Sequence, residues 1–298
     1  MTGPILLLGG NGQVGWELRR TLAPLGAVRA LERADVDLAD GGALSRIVRE
    51  TAPSLIVNAA AYTAVDRAEG EAELVHAVNG AAPGILGEEA KRLGAGLVHF
   101  STDYVFDGTA STPYRESDTP APVNVYGQSK LAGEEAIEGS GCAHLILRTS
   151  WVYSMRGANF LLTVRRLAGE LEELRIVEDQ RGAPTWARLI AETTAIVLGA
   201  CGAPTSSGGL ADRGGTYHLT AAGSTSWCGF ATAIVDWLRE AGQPMRCRRV
   251  LPIPTSDYPT PARRPANSLL DCEKIQERFG LRMPDWNEQL RLCVDEDR

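Results

Sequence analysis

Tyr126-Gly127-Gln128-Ser129-Lys130 sets a phenol and an ammonium at i, i+4 spacing. On a helix that spacing puts both groups on one face. A free phenol, with a pKa of about 10, is a poor acid near neutrality. A cation about 4 Å away, at an effective dielectric of about 20, is worth roughly 4 kcal/mol. That is enough to lower the phenol by up to about 3 pH units. An oxidised nicotinamide would add a second positive charge. The pair is therefore expected to act as a general acid tuned toward working pH. A lone Tyr-x-x-x-Lys is an ordinary surface pattern; this one follows a glycine-rich turn by two to three strands. Thr102, in Ser101-Thr102-Asp103-Tyr104-Val105-Phe106, leaves a strand at its C-terminal edge, where open α/β sheets bind ligands. Its hydroxyl is placed to bond a substrate carbonyl oxygen beside Tyr126. Ser101 and Asp103 read more simply as turn-capping residues.

Gly9-Gly10-Asn11-Gly12-Gln13-Val14-Gly15 follows the apolar run Ile5 to Leu8 and opens a helical pattern at Val14, Leu18, Leu22 and Leu25. Glycines there let the backbone turn sharply and approach a pyrophosphate seated on the helix N-terminus. Glu32 ends the second strand, where a carboxylate accepts from ribose hydroxyls and repels a 2′-phosphate, favouring NAD; Arg33 next door moderates this. A surface role for Glu32 stays open. Asn58-Ala59-Ala60-Ala61-Tyr62-Thr63 offers small residues against which a flat cofactor lies, though close helix packing needs them equally. Trp151 either walls a sugar pocket or is a core tryptophan. Arg263 and Arg264, set in a proline-rich loop, suit bidentate phosphate binding or simple surface solubility. His76, His99, His144 and His218 show no ligand spacing and are read as structural.

The elements that must position these groups alternate along the first half. Strands are expected at Ile5 to Leu8, Val28 to Leu31, Leu55 to Val57, Leu97 to Phe100 and Leu145 to Leu147. Helices are expected around Leu44 to Val48 and over Glu71 to Leu93, kinked or divided at Pro83. A further helix covers Gly127 to Ile137. Continuous apolar strands alternating with helices indicate a doubly wound parallel sheet, an α/β fold of Rossmann type. The second half is richer in Pro and Gly; Pro204 to Gly215 reads as a loop, and Pro252 to Pro265 cannot be a regular helix. The expected division is a dinucleotide-binding domain over 1–150, completed by part of 174–215. Residues 151–298 then form mainly a smaller, interleaved substrate-binding lobe.

Composition narrows the partners. The net charge is −7, from 30 basic and 37 acidic side chains, with no basic block. Nucleic acid and membrane surfaces are therefore not expected partners. The six cysteines have no metal spacing, and with no basic leader or membrane-length apolar run the expectation is a cytoplasmic protein with free thiols.

These motifs resemble the extended short-chain dehydrogenase/reductase family, and within it the dTDP-4-dehydrorhamnose reductases. The match runs nearly end to end. It takes in Gly12 to Leu18, Val57 to Ala61, Ser101 to Phe106, Asn124 to Gly127 and Lys130 to Glu134. It continues through Arg148 to Tyr153, Gly182 to Thr185, Pro259 to Pro265 and Pro284 to Trp286. The glycine turn and the Tyr/Lys pair belong to the whole superfamily, whereas Thr102 to Phe106 and Thr260 to Pro265 are far more specific. The resemblance implies reduction of the 4-keto group of a dTDP-linked keto-sugar with NADPH or NADH. Tyr126 would be the proton donor, Lys130 would tune it and hold the nicotinamide ribose, and Thr102 would tune the carbonyl end. Gly12, Gln13 and Val14, beside Gly9, would meet the pyrophosphate, Glu32 the adenosine ribose, and Asp37 and Leu38 the adenine. Ala61, Tyr62, Thr63 and Phe100 would lie along the cofactor. Thr102, Asp103 and Trp151, with Arg263 and Arg264, would contact the sugar nucleotide.

Two departures refine the expectation. Some members pair through magnesium held by surface glutamates; Glu17 matches one such position and Glu296 another, but Arg188 stands where a carboxylate is needed. Magnesium is therefore doubtful, and a monomer or weak homodimer is expected. Related 4,6-dehydratases carry an Asp-Glu pair after the threonine; here the pair is Asp103-Tyr104, so dehydration lacks its carboxylate base. The alternative of a different class is a non-catalytic, cofactor-binding regulatory subunit like the methionine adenosyltransferase β subunit. Intact Tyr126 and Lys130 argue against it.

Overall fold

The computed structural model describes residues 3–202 and 208–295. Its centre is a parallel sheet built from β1 (Ile5–Leu8), β2 (Val28–Leu31), β3 (Leu55–Asn58), β4 (Gly96–Thr102), β5 (Ala143–Thr149) and β6 (Gly215–His218), in the order β6-β5-β4-β3-β1-β2. Alternate residues of each strand face opposite layers. Ile5, Leu7, Val57, Val98 and Leu147 pack against α1 (Gln13–Thr21) and, from the second half of the chain, against Ile190, Ala191 and Leu198. Leu6, Leu8, Ile56, Leu97 and Ile146 face α2 (Gly41–Thr51), α3 (Ala82–Leu93) and α4 (Val125–Ser140) through Leu44, Leu86 and Ile137. Both faces are covered, which is why these strands read as unbroken apolar runs.

The stretch 71–93 divides as expected, but ahead of Pro83. Ala72–His76 is α-helical, Ala77–Ala81 is a π-turn, and α3 begins at Ala82. Pro83 thus sits in the first turn of α3, where its missing N–H is no loss. The loop expected over Pro204 to Gly215 is corrected in part. Residues 203–207 lie outside the described residues, Leu210–Arg213 is a short helix, and Gly215 starts β6. That edge strand forms by pairing with β5, Gly215 beside Leu145 and His218 beside Arg148, a tertiary contact that composition does not carry. Between Pro252 and Pro265 the only helical feature is a 3-10 turn at Thr255–Asp257.

From residue 151 onward a second core gathers Tyr153, Leu161, Trp186, Phe230, Ile234 and Leu290. They come largely from α5 (Phe160–Glu170), α7 (Trp227–Glu240) and a C-terminal helix, Trp286–Asp295. α6 (Ala187–Cys201) interrupts this lobe to cover the sheet beside α1. Short ribbons lie between, such as Glu173–Val177 paired in parallel with Arg249–Ile253.

Candidate active site

A cavity of about 370 Å³ opens along the C-terminal ends of β1 to β5. Gly9, Gly12, Gln13, Val14, Glu32, Asp37, Leu38, Ala61, Tyr62, Thr63, Phe100, Tyr126 and Lys130 all line it. So do Asn11, Arg33 and Ala60, which lie within the segments singled out above, and Ser101, Thr149 and Val152, to which the sequence reading gave no site role.

At one end the chain leaves β1 through Gly9, whose φ of +78° is in the left-handed region. A Cβ on Gly15 would stand 2.0 Å from the Gly9 carbonyl, so α1 starts directly on the turn. Gly12 caps α1 without a side-chain bond, leaving the first-turn N–H groups facing the cavity end. The Gln13 amide oxygen accepts from Ser154 Oγ and Asn159 Nδ2, each 2.9 Å, and ties the turn to the lobe. Glu32 accepts from Asn11 Nδ2 at 3.3 Å. The floor is Ala59 to Thr63, held where Asn79 clamps Tyr62 by its N–H (2.8 Å) and carbonyl (3.0 Å).

At the other end α4 delivers Tyr126 and Lys130. Asn124 caps it, accepting from the Gly127 N–H at 2.8 Å. A Cβ on Gly127 would meet the Tyr104 carbonyl at 2.2 Å, so glycine brings the helix close to the turn after β4. Further along, Glu134 binds Arg148 of β5 in a buried ion pair, Nη2 to Oε2 2.6 Å. Tyr126 stands edge-on to Tyr104, ring centroids 5.5 Å apart.

The electrostatics correct one expectation. Lys130 Nζ donates to the Phe100 carbonyl at 2.7 Å and meets His99 Nε2 at 3.0 Å. Burial pushes the Tyr126 phenol up to about 12, with Thr102 opposing, and brings Lys130 down to about 8. In the free protein the phenol rises because burial penalises the phenolate, and the neighbouring Asp103 carboxylate adds to the rise. His99, read from the sequence as structural, is thus in direct contact with Lys130. A lone histidine in an apolar strand gives no sign of such a contact.

Thr102 Oγ1 donates to Asp103 Oδ1 at 3.0 Å and accepts from the Tyr104 N–H. Burial raises the Asp103 carboxyl to about 6. Ser101 Oγ, Asp103 Oδ2, Thr149 Oγ1, Ser150 Oγ and Arg264 Nη1 are buried without a protein partner. Unpaired polar atoms of this kind cost free energy unless a ligand or solvent engages them. Ser101 and Thr149 line the cavity itself, so the donor set fits a ligand rich in hydroxyls and phosphates.

The remaining candidates sit outside the cavity lining. Trp151, at φ +47°, stacks on Trp227 with centroids 3.5 Å apart. The Arg263 side chain is exposed, and its carbonyl accepts from Asn124 Nδ2. Arg264 pairs with Asp66 at 2.8 Å and lies over the Tyr104 ring at 6.0 Å. Glu17 on α1 is held by Arg188 on α6, Nε to Oε2 3.1 Å; Glu296 lies outside the described residues. Among the described residues no group of three or more His, Cys, Asp or Glu could hold a metal; both Glu17 carboxylate oxygens accept from the Arg188 guanidinium, at 3.1 and 3.4 Å.

The family model described as "RmlD substrate binding domain" matches residues 1–298. The chain belongs to this family. It is 53% identical over 292 residues to a dTDP-4-dehydrorhamnose reductase of Burkholderia thailandensis, covering 97% of each chain. To the Escherichia coli K12 protein of the same name it is 44% identical over 297 residues, covering 98% of this chain and 97% of that one. Among solved structures, a Bacillus anthracis dTDP-4-dehydrorhamnose reductase in complex with NADP superposes with a TM-score of 0.89 at 33% identity, covering 99% of this chain and 100% of that one. Membership fits the Rossmann-type sheet and the paired Tyr126 and Lys130. No helix among the described residues is long and apolar enough to cross a membrane.

Proposed function

We propose that this protein reduces the 4-keto group of dTDP-4-dehydro-L-rhamnose to give dTDP-L-rhamnose, using NADH or NADPH. The observation that carries this reading is one cavity shared by the glycine turn and the Tyr126/Lys130 pair, in a chain 53% identical to a named reductase of that sugar. The bound dinucleotide supplies the hydride. The chain's residues do the rest. Gly9, Gly12, Gln13 and Val14 seat the pyrophosphate on the start of α1. Glu32 holds the adenosine ribose, and Asp37 and Leu38 flank the adenine. Ala61, Tyr62, Thr63 and Phe100 line the path to the nicotinamide, whose ribose Lys130 holds. The Tyr126 phenol, kept protonated by burial, gives its proton to the developing alkoxide oxygen. Thr102 bonds the same oxygen. Asp103, Trp151, Arg263 and Arg264 contact the sugar nucleotide.

In this reading residues 1–150, completed by α6 and β6, hold the dinucleotide, and the rest of 151–298 holds the sugar nucleotide. The protein works in the cytoplasm as a monomer or weak homodimer, without magnesium. The test is NADH and NADPH oxidation with a panel of nucleotide-linked 4-keto-6-deoxy sugars. Turnover confined to the dTDP-linked 4-keto sugar supports the reading. Cofactor binding without oxidation on any of them refutes it.

A further inference from the structure

Behind the cavity lies a chain of three buried side chains: Asn58 on β3, His99 on β4 and Lys130 on α4, each about 1% exposed. Asn58 Nδ2 meets His99 Nδ1 at 3.1 Å, and His99 Nε2 meets Lys130 Nζ at 3.0 Å. The hydrogens of this chain follow from donor counting. The Ala60 N–H donates to Asn58 Oδ1 at 3.2 Å, which fixes the amide orientation. Asn58 therefore presents its NH₂ to the ring, and His99 Nδ1 must accept. Burial, then the neighbouring Lys130, hold the imidazole well below its ordinary pKa, so the ring is neutral. A neutral ring accepting at Nδ1 carries its hydrogen on Nε2. That hydrogen points at Nζ. An ammonium has no lone pair to receive it, whereas an amine has one. The amine form gives one hydrogen to the Phe100 carbonyl and turns its lone pair to His99, which leaves its second hydrogen for a ligand.

We infer that His99 is a positioning residue that favours the amine form of Lys130 in the free protein, through an Nε2–H fixed by Asn58. A ligand in the cavity that favours the cation then draws Lys130 back toward the ammonium. For the ammonium to be accepted by His99, the ring must move its hydrogen to Nδ1. Asn58 must then turn its amide and release the Ala60 N–H, on the cavity floor. Of the other titratable groups, Tyr126 and Glu134 share α4 with Lys130 and Asp103 directly follows β4, while Arg148 on β5 lies between Glu134 and His218 of β6. Glu134 favours the ammonium, but it is already bound by Arg148. The inference deepens the reductase reading and rests on it only for the use made of Lys130.

Its test needs neither cofactor nor sugar, so its failure and that of the reductase reading are separate results. Nitrogen-15 NMR of the free protein reports the His99 tautomer. It also reports the Lys130 Nζ titration, and the lysines of the chain are only Lys91, Lys130 and Lys274. The expected tautomer is Nε2–H. His99→Gln, which can turn an amide oxygen to Nζ, should raise the Lys130 midpoint by at least one pH unit, a tenfold gain in proton affinity. Asn58→Asp should turn the ring to Nδ1–H and raise the midpoint likewise. An Nδ1–H ring in the unmodified protein overturns the inference. So does a Lys130 midpoint that stays or falls in whichever of the two variants folds. If neither folds, the tautomer of the unmodified protein decides.

Discussion

Asp103 is the residue whose environment makes the sharpest prediction on stability. Its carboxyl rises to about 6, chiefly by burial, so the folded protein binds this proton more tightly than the unfolded chain. Its contribution is complete below about pH 4, the unfolded value, and is lost as pH rises through 6. A shift of about two pH units corresponds to roughly 3 kcal/mol. Asp103→Asn should therefore flatten the fall in urea midpoint between pH 4 and 6.5 and leave the variant the more stable form at pH 7.5. At Tyr126, substitution by Phe keeps the ring against Tyr104 and removes the proton. Turnover should drop by about a hundredfold to ten-thousandfold, while cofactor affinity, read by fluorescence titration, stays within about twofold. The residues lining the cavity could largely be named in advance because turn, strand end and helix spacing each place a residue locally. Ser101, Thr149 and His99 could not, since their exposure to the cavity or to Lys130 depends on how β4, β5 and α4 meet in space.

At the scale of elements, the buried Arg148–Glu134 pair fastens α4, and with it Tyr126 and Lys130, to β5. Removing one partner leaves the other charged and buried. Arg148→Met should cost about 3–5 kcal/mol, and the double variant with Glu134→Leu should recover most of it. Chemical denaturation of the single and double variants checks this; a double variant as unstable as the single would show that the pair is not the fastening. β1, β3, β4 and β5 were legible because each is covered on both faces and carries a continuous apolar run; β2, at the edge with Arg29 exposed, showed only as a short run. The sixth strand was not legible. Gly215–His218 lies in a Gly- and Ser-rich stretch and becomes a strand by pairing with β5. Nothing local in α6 says that it covers the sheet rather than the lobe.

For the whole molecule, the Glu17–Arg188 pair bears on assembly. With Arg188 bound to a carboxylate that relatives would offer to a metal, chelation should change neither the mass by light scattering nor the turnover. A particle that halves in mass with chelator would contradict this. The central claim is that the cavity reduces a finished 4-keto sugar and does not make one. Tyr104 occupies the place where dehydration needs a carboxylate base, and burial pushes its phenol well above its ordinary value, so it cannot act as one near neutrality. The most direct measurement incubates the purified protein and NADH or NADPH with dTDP-4-dehydro-L-rhamnose and, separately, with dTDP-glucose, following cofactor absorbance and sugar mass together. The account predicts one cofactor oxidised for each dTDP-L-rhamnose formed, and dTDP-glucose unchanged. Formation of a 4-keto-6-deoxy sugar from dTDP-glucose without net cofactor consumption, or an inert 4-keto sugar, would contradict it.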